Sequence, residues 1–153
     1  MMILSWWWLS EKMLTPSRAE VILLDTHAAI WLANDDAALG KDSCSMALAA
    51  RGENRLAISA ISFWEIALLA AKGRLELRDP PARLRAELLD AGLIELPVTG
   101  DVGMLAVELK GLHADPADRF IAATAVVHRA TLITADARLL AWQSEVRRQN
   151  AET

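Results

Sequence analysis

The chain has 153 residues, 54% of them hydrophobic and 24% charged. That composition excludes an intrinsically disordered polymer and fits one domain with a substantial core. Lys and Arg total 16 against 20 Asp and Glu, a formal net charge of −4, so bulk positive charge is not how this protein would grip nucleic acid. A nuclease that works through bound cations stays open, because such ions neutralise acidic ligands and meet phosphate themselves. Cys44 is the single cysteine. An internal disulfide and a cysteine-based zinc site within one chain are therefore excluded, and a reducing cytoplasm fits.

Residues 1–9 include Trp6, Trp7 and Trp8. The segment is far shorter than the ~20 apolar residues of a membrane span, and it lacks the charged start and small-residue cleavage site of a signal peptide. Residues 1–20 are read as an appendage, disordered or reflecting a start codon placed too early, and no membrane association is expected. Residues 21–24, Val-Ile-Leu-Leu, form a short apolar run expected to be a strand buried on both faces, with Asp25 and Thr26 at its carboxyl end. A helix is expected over 28–33, broken by Asn34-Asp35-Asp36, and another over 41–51, stopped by Gly52. Residues 56–59 read as a second strand. The spacing of Ser62 and Glu65 matches a capping box opening a helix to about Lys72.

A further helix is expected over 81–91, a strand over 93–98, and a helix capped by Thr99 to about Lys110. Asp115-Pro116 places a cap residue and then proline at the first helical position, starting a helix to about Arg129. Residues 131–134 read as the last strand, and Asp136 opens the final helix. From Glu145 the chain is polar and is expected to fray. The organisation is thus one domain over 21–144 with a polar tail at 145–153. Strands alternating with helices imply right-handed βαβ units and an α/β fold with a mostly parallel central sheet. Sites in such sheets lie outside the carboxyl ends of the strands.

Four carboxylates occupy such positions. Asp25 follows the first strand, Glu65 sits in the first turn after the second, Asp118 in the first turn of the helix opened by Asp115-Pro116, and Asp136 follows the last strand. A parallel sheet brings these positions to one rim. Clustered carboxylates repel one another unless cations intervene, and oxygen ligands suit Mg²⁺ or Mn²⁺. The competing structural reading is that acids in first turns serve the helix dipole, roughly 0.3–1 kcal/mol each, with Glu65 closing its capping box and Asp115 capping. Asp25 has no equally ready capping role.

These blocks resemble the PIN-domain toxins of the VapC type. Ile22-Leu23-Leu24-Asp25-Thr26-His27-Ala28-Ala29-Ile30-Trp31 is similar to their opening, and Ser59-Ala60-Ile61-Ser62-Phe63-Trp64-Glu65-Ile66-Ala67 to their second acidic motif. His113-Ala114-Asp115-Pro116-Ala117-Asp118-Arg119-Phe120-Ile121-Ala122-Ala123-Thr124-Ala125 looks like the third, and Leu132-Ile133-Thr134-Ala135-Asp136 like the fourth. The resemblance spans about residues 21–142, with the blocks in family order. Ala117, where the family often has a bulky apolar residue, and Ala141-Trp142 depart from the pattern without removing a carboxylate.

The resemblance implies a three-layer PIN-like sandwich and a Mg²⁺- or Mn²⁺-dependent endoribonuclease toxin that hydrolyses RNA with metal-activated water. It implies Asp25, Glu65, Asp118 and Asp136 as catalytic metal ligands, a cognate antitoxin and a homodimer. In the third block Asp118 is preferred as the ligand because it precedes Arg119 and the Phe-Ile-Ala-Ala stretch, leaving Asp115 to cap and support it. Thr26 is expected to bond a ligand carboxylate or a water. Arg119 is expected either to contact substrate phosphate or to pair with Asp115. His27, His113 and His128 read as packing or capping residues, and Trp31 and Trp64 as core or subunit-interface residues.

Two other classes compete. A PIN-fold RNA- or antitoxin-binding module without turnover would have no reason to collect four repelling acids. A phosphoryl-transfer domain would want an Asp-x-Asp pattern, or an acidic pair after the first strand, and Asp25-Thr26-His27 supplies neither.

Overall fold

The computed structural model of the chain describes residues 19–153. Residues 1–18 of the expected appendage lie outside the described residues. Glu20, at its end, is tied to the domain: its carbonyl accepts from Arg55 and its carboxylate pairs with Arg147.

The elements run β1 (Ile22–Leu24), α1 (Thr26–Ala33), α2 (Lys41–Gly52), β2 (Leu56–Ser59), α3 (Ala60–Ala71), α4 (Pro81–Asp90), β3 (Ile94–Leu96), α5 (Gly100–Glu108), α6 (Pro116–His128), β4 (Thr131–Thr134), α7 (Ala137–Ala141) and β5 (Arg148–Asn150). The five strands form one sheet in the order β3-β2-β1-β4-β5, every neighbouring pair parallel. Among the described residues, no helix is long and apolar enough to cross a membrane.

Alternation along the strands divides the core in two. Ile22, Leu24, Ile58 and Ile133 pack with Ala28 and Ala29 of α1, Ala47 and Ala50 of α2 and Leu88 of α4. Leu23, Ala57 and Leu132 pack on the other side with Ile121, Ala122 and Ala125 of α6 and Leu139 of α7. The sheet is therefore the middle of three layers, and β1, β2 and β4 are buried along their whole length. Each fully buried Leu or Ile contributes about 1.5–3 kcal/mol. Alanines on the helix faces let α1, α2 and α6 approach the sheet closely.

Three expectations are corrected. The polar tail does not fray: Arg148–Asn150 is the edge strand β5, pairing Leu132 with Arg148 and Thr134 with Asn150. Polar residues suit a short edge strand, where one side faces water. Beyond it, Ala151 is fully buried, its carbonyl accepts from Gly40 N at 2.8 Å, and the Thr153 oxygen accepts from Ser43 N at 2.9 Å at the start of α2. Gly40 caps α2 without a side-chain hydrogen bond, and a Cβ there would lie 2.3 Å from the Thr153 backbone.

The second correction concerns Ser62. Helix α3 begins one turn earlier, with Ser59 as its N-cap accepting from Ile61 N, so Ser62 is buried inside the helix and Glu65 lies in the second turn. There is no Ser62–Glu65 capping box. The third concerns Asp25, which does cap: its Oδ1 accepts from Ala28 N at 2.7 Å at the start of α1.

Candidate metal centre

The strand order reverses direction at β1. Strands β2 and β3 lie to one side of it, and β4 and β5 to the other. Such a switch point opens a crevice at the carboxyl ends of the two diverging strands. Asp25 follows β1 and Asp136 follows β4, so both stand on this crevice. The cleft there has a volume of about 330 Å³ and is lined by Asp25, Thr26, His27, Trp31, Glu65, Asp115, Asp118, Ala135, Asp136 and Arg138. All four acids of the expected quartet meet in it, together with Thr26 and Asp115.

Asp25 is the deepest, at 5% exposure. While Oδ1 caps α1, Oδ2 accepts from the Thr134 hydroxyl. Thr134 in turn accepts from Asp136 N at 3.1 Å, so one hydroxyl couples the acids that follow β1 and β4. Burial pushes the Asp25 carboxyl above its ordinary range, against the hydrogen bonds from Thr134 and Ala28 and the nearby His27. A carboxylate has about four lone-pair sites, so these bonds leave acceptor capacity facing the cleft.

Glu65 reaches across from α3 to accept a hydrogen bond from Thr26 Oγ1. Thr26 Oγ1 also lies 3.1 Å from Ser62 Oγ, which explains why a serine is buried mid-helix. Burial raises the Glu65 carboxyl, opposed by the Thr26 bond and His27 and assisted by Asp115 and Asp25.

Asp118 is pushed up to about 7 by burial first, then by the negative charges of Asp115, Asp136 and Glu65, with Arg138 pulling it down. Asp136 behaves oppositely. Burial would raise it, but the Arg138 guanidinium and the amides of Leu139 and Arg138 hold it below the usual carboxylate range. Asp115 is exposed and caps α6 through a long 3.4 Å contact to Asp118 N.

Arg119 does not reach this cleft. Its guanidinium donates to five main-chain carbonyls: Nε to Ala106 (2.7 Å), Nη1 to Leu112 and His113 (2.8 and 3.0 Å), Nη2 to Val107 and Leu109 (3.1 and 2.8 Å). All five donors of an arginine are thereby used. The side chain staples the end of α5, whose last carbonyls have no helical partner, to the loop before α6. Both expected roles, substrate contact and pairing with Asp115, are replaced by this one.

Two residues beside the carboxylates have no site role expected from the sequence: Arg138, which is not singled out there, and His113, which reads as a packing or capping residue. Arg138 pairs with Asp136 (3.0 Å) and Asp118 (3.5 Å). His113 Nε2 is buried without a hydrogen-bond partner and lies 3.4 Å from Asp118 Oδ2. One ligand atom each from His113, Asp118 and Asp136 falls within 4.8 Å of the others. Arg138 lies two residues after Asp136 and His113 five before Asp118, so proximity to a proposed ligand was the available signal. Of the two roles expected for the tryptophans, core or subunit interface, Trp64 at 50% exposure does not fill the first, whereas Trp31 on α1 packs against the core.

The donor set fits a hard or borderline divalent cation. It is rich in carboxylate oxygen, with one imidazole and no thiolate. The elevated Asp118 reflects burial first and, after it, negative charge gathered with too little compensation.

A sequence model described as the PIN domain matches residues 22–143. The protein named Ribonuclease VapC22 from Mycobacterium tuberculosis is 35% identical over 119 residues, which is 77% of this chain and 88% of that one. Among solved structures, a toxin–antitoxin complex from Klebsiella pneumoniae is similar at 25% identity and a TM-score of 0.52, covering 78% of this chain and 90% of that one. VapBC2 from Rickettsia felis, solved bound to a fragment of its promoter DNA, is similar at 20% identity and a TM-score of 0.61, covering 85% and 98%; at that identity the likeness concerns the fold. The switch-point cleft, the acids around it and the match over residues 22–143 together mean that the chain belongs to the PIN-domain family.

Proposed function

We propose that the protein is a metal-dependent endoribonuclease and the toxin of a toxin–antitoxin pair. The observation that carries this reading is the convergence of Asp25, Glu65, Asp118 and Asp136 on one cleft, with Asp118 driven up to about 7 by burial and its acidic neighbours. A fold that only bound RNA would be weakened by that repulsion. The similarity to a protein named as a ribonuclease supports RNA as the substrate, and the likeness to a toxin–antitoxin complex supports a cognate antitoxin.

Asp25, Glu65, Asp118 and Asp136 are the groups that would hold Mg²⁺ or Mn²⁺. Such an ion, when bound, supplies a Lewis acid for the phosphate and acidifies water towards hydroxide. Asp25 is held at a fixed orientation by Ala28 N and Thr134, and Glu65 by Thr26. This preorganisation leaves little to rearrange when the site fills. Asp115 stays at the rim, capping α6 and adding negative charge beside Asp118.

The test is cleavage of total RNA by the purified protein with Mg²⁺ or Mn²⁺ against EDTA, beside Asp25→Asn and Asp118→Asn. Discrete fragments that require metal and vanish in both variants support the reading. Absence of fragments from folded, antitoxin-free protein under either metal sinks it in favour of a binding module.

A further inference from the structure

Among the described residues, Arg138 is the only lysine or arginine lining the cleft. Its Nη2 lies 3.0 Å from Asp136 Oδ2 and 3.5 Å from Asp118 Oδ2. Asp136 Oδ1 is already engaged by the amides of Arg138 and Leu139, at 2.8 and 3.1 Å. On Asp136 the oxygen Arg138 holds is therefore the one the amides leave for a cation, and on Asp118 it is the one facing His113, in the same pair of carboxylates that can share an ion with His113. A guanidinium and a divalent ion repel one another, so occupancy by one disfavours the other.

The stem of Arg138 is anchored while its head is not. Its backbone is fixed by the Asp136 cap at the start of α7, whereas its side chain is 57% exposed and open to solvent. Released from the carboxylates, the guanidinium stays within one side-chain length of them. Among the described residues it would be the one permanent positive charge on a cleft that carries five carboxylates and that a polyanion must approach. Its planar fork suits two phosphate oxygens.

We propose that Arg138 has two alternative partners: the Asp118 and Asp136 carboxylates when no cation is held there, and an RNA phosphate when one is. This rests on the nuclease reading above. Arg138 then acts as a built-in competitor of the metal and as a substrate-gripping residue.

The experiment titrates Mn²⁺ into the full chain by electron paramagnetic resonance without RNA, for the parent, Arg138→Gln and Arg138→Lys, and then measures RNA cleavage at saturating Mn²⁺. Removing two partly exposed ion pairs is expected to tighten Mn²⁺ binding in Arg138→Gln roughly threefold to tenfold. Arg138→Lys, which keeps the charge but not the fork, should stay nearer the parent in Mn²⁺ affinity. Both variants should show a raised KM for RNA with a smaller change in kcat. Unchanged or weaker Mn²⁺ binding by Arg138→Gln, or an unchanged KM, overturns the proposal. A folded parent that binds no Mn²⁺ overturns the nuclease reading itself, so the two failures are distinguishable.

Discussion

Replacing Asp118 by Asn should make the metal-free protein more stable while abolishing its activity. Burial and the charges of Asp115, Asp136 and Glu65 lift the Asp118 carboxyl from 3.8 to about 7. At roughly 1.4 kcal/mol per pH unit, that gap corresponds to roughly 4 kcal/mol above pH 7. Water reaches part of the carboxyl and Arg138 stays nearby, and screening reduces the expected effect to about 1–2 kcal/mol. The sign follows from proton linkage: between 3.8 and about 7 the folded chain keeps a proton that the unfolded chain releases. Stability contributed by this group is present at low pH and lost as pH rises through about 7. Asparagine has nearly the same shape and never ionises. Urea denaturation in EDTA should therefore show a higher midpoint for Asp118→Asn at pH 8, and less than half that advantage at pH 5. Added Mn²⁺ should reverse the ranking, stabilising the parent by mass action and leaving the variant nearly unmoved. A variant less stable than the parent at pH 8, or an advantage equal at both pH values, refutes the electrostatic argument.

Arg119→Ala should lower stability by about 2–4 kcal/mol in urea denaturation, because it strands carbonyls of α5 and the following loop, while cleavage per folded molecule stays close to the parent; an unmoved midpoint would argue against the staple. Thr26→Val removes the donor that favours ionised Glu65, so Mn²⁺ affinity at pH 7 should fall about threefold to tenfold, a loss that calorimetry should find smaller at pH 9. Gly40→Val drives a side chain into the Thr153 backbone and should cost about 1–3 kcal/mol. Hydrogen exchange should then accelerate at the β5 amides of Arg148–Asn150, and unchanged protection there would contradict the packing described.

The central strands were readable because they are buried on both faces and written almost wholly in apolar residues, as in Ile22–Leu24 and Leu56–Ser59. Parallel order among such strands places Asp25 and Asp136 on one rim. What escaped depends on partners distant in the chain. Strand β5 is Arg-Gln-Asn, and only its pairing with β4 makes those residues a strand. Ser62 and Glu65 have the spacing of a capping box, but Ser59 is already at the strand end to cap, and Thr26 claims the glutamate. Arg119 beside Asp118 suggested phosphate, whereas its fork is filled by carbonyls that converge only when α5 and α6 pack together. Arg138 lines the cleft, and His113 reaches Asp118, through side-chain direction, which local spacing does not encode.

The most direct test of the metal centre is anomalous diffraction from crystals of the protein soaked in Mn²⁺. An anomalous peak within the cleft, against the carboxylates of Asp25, Glu65, Asp118 and Asp136, and missing from Asp25→Asn crystals, is the predicted result. A peak held by other residues, or none from crystals whose cleft is open to solvent at saturating Mn²⁺, would contradict the account.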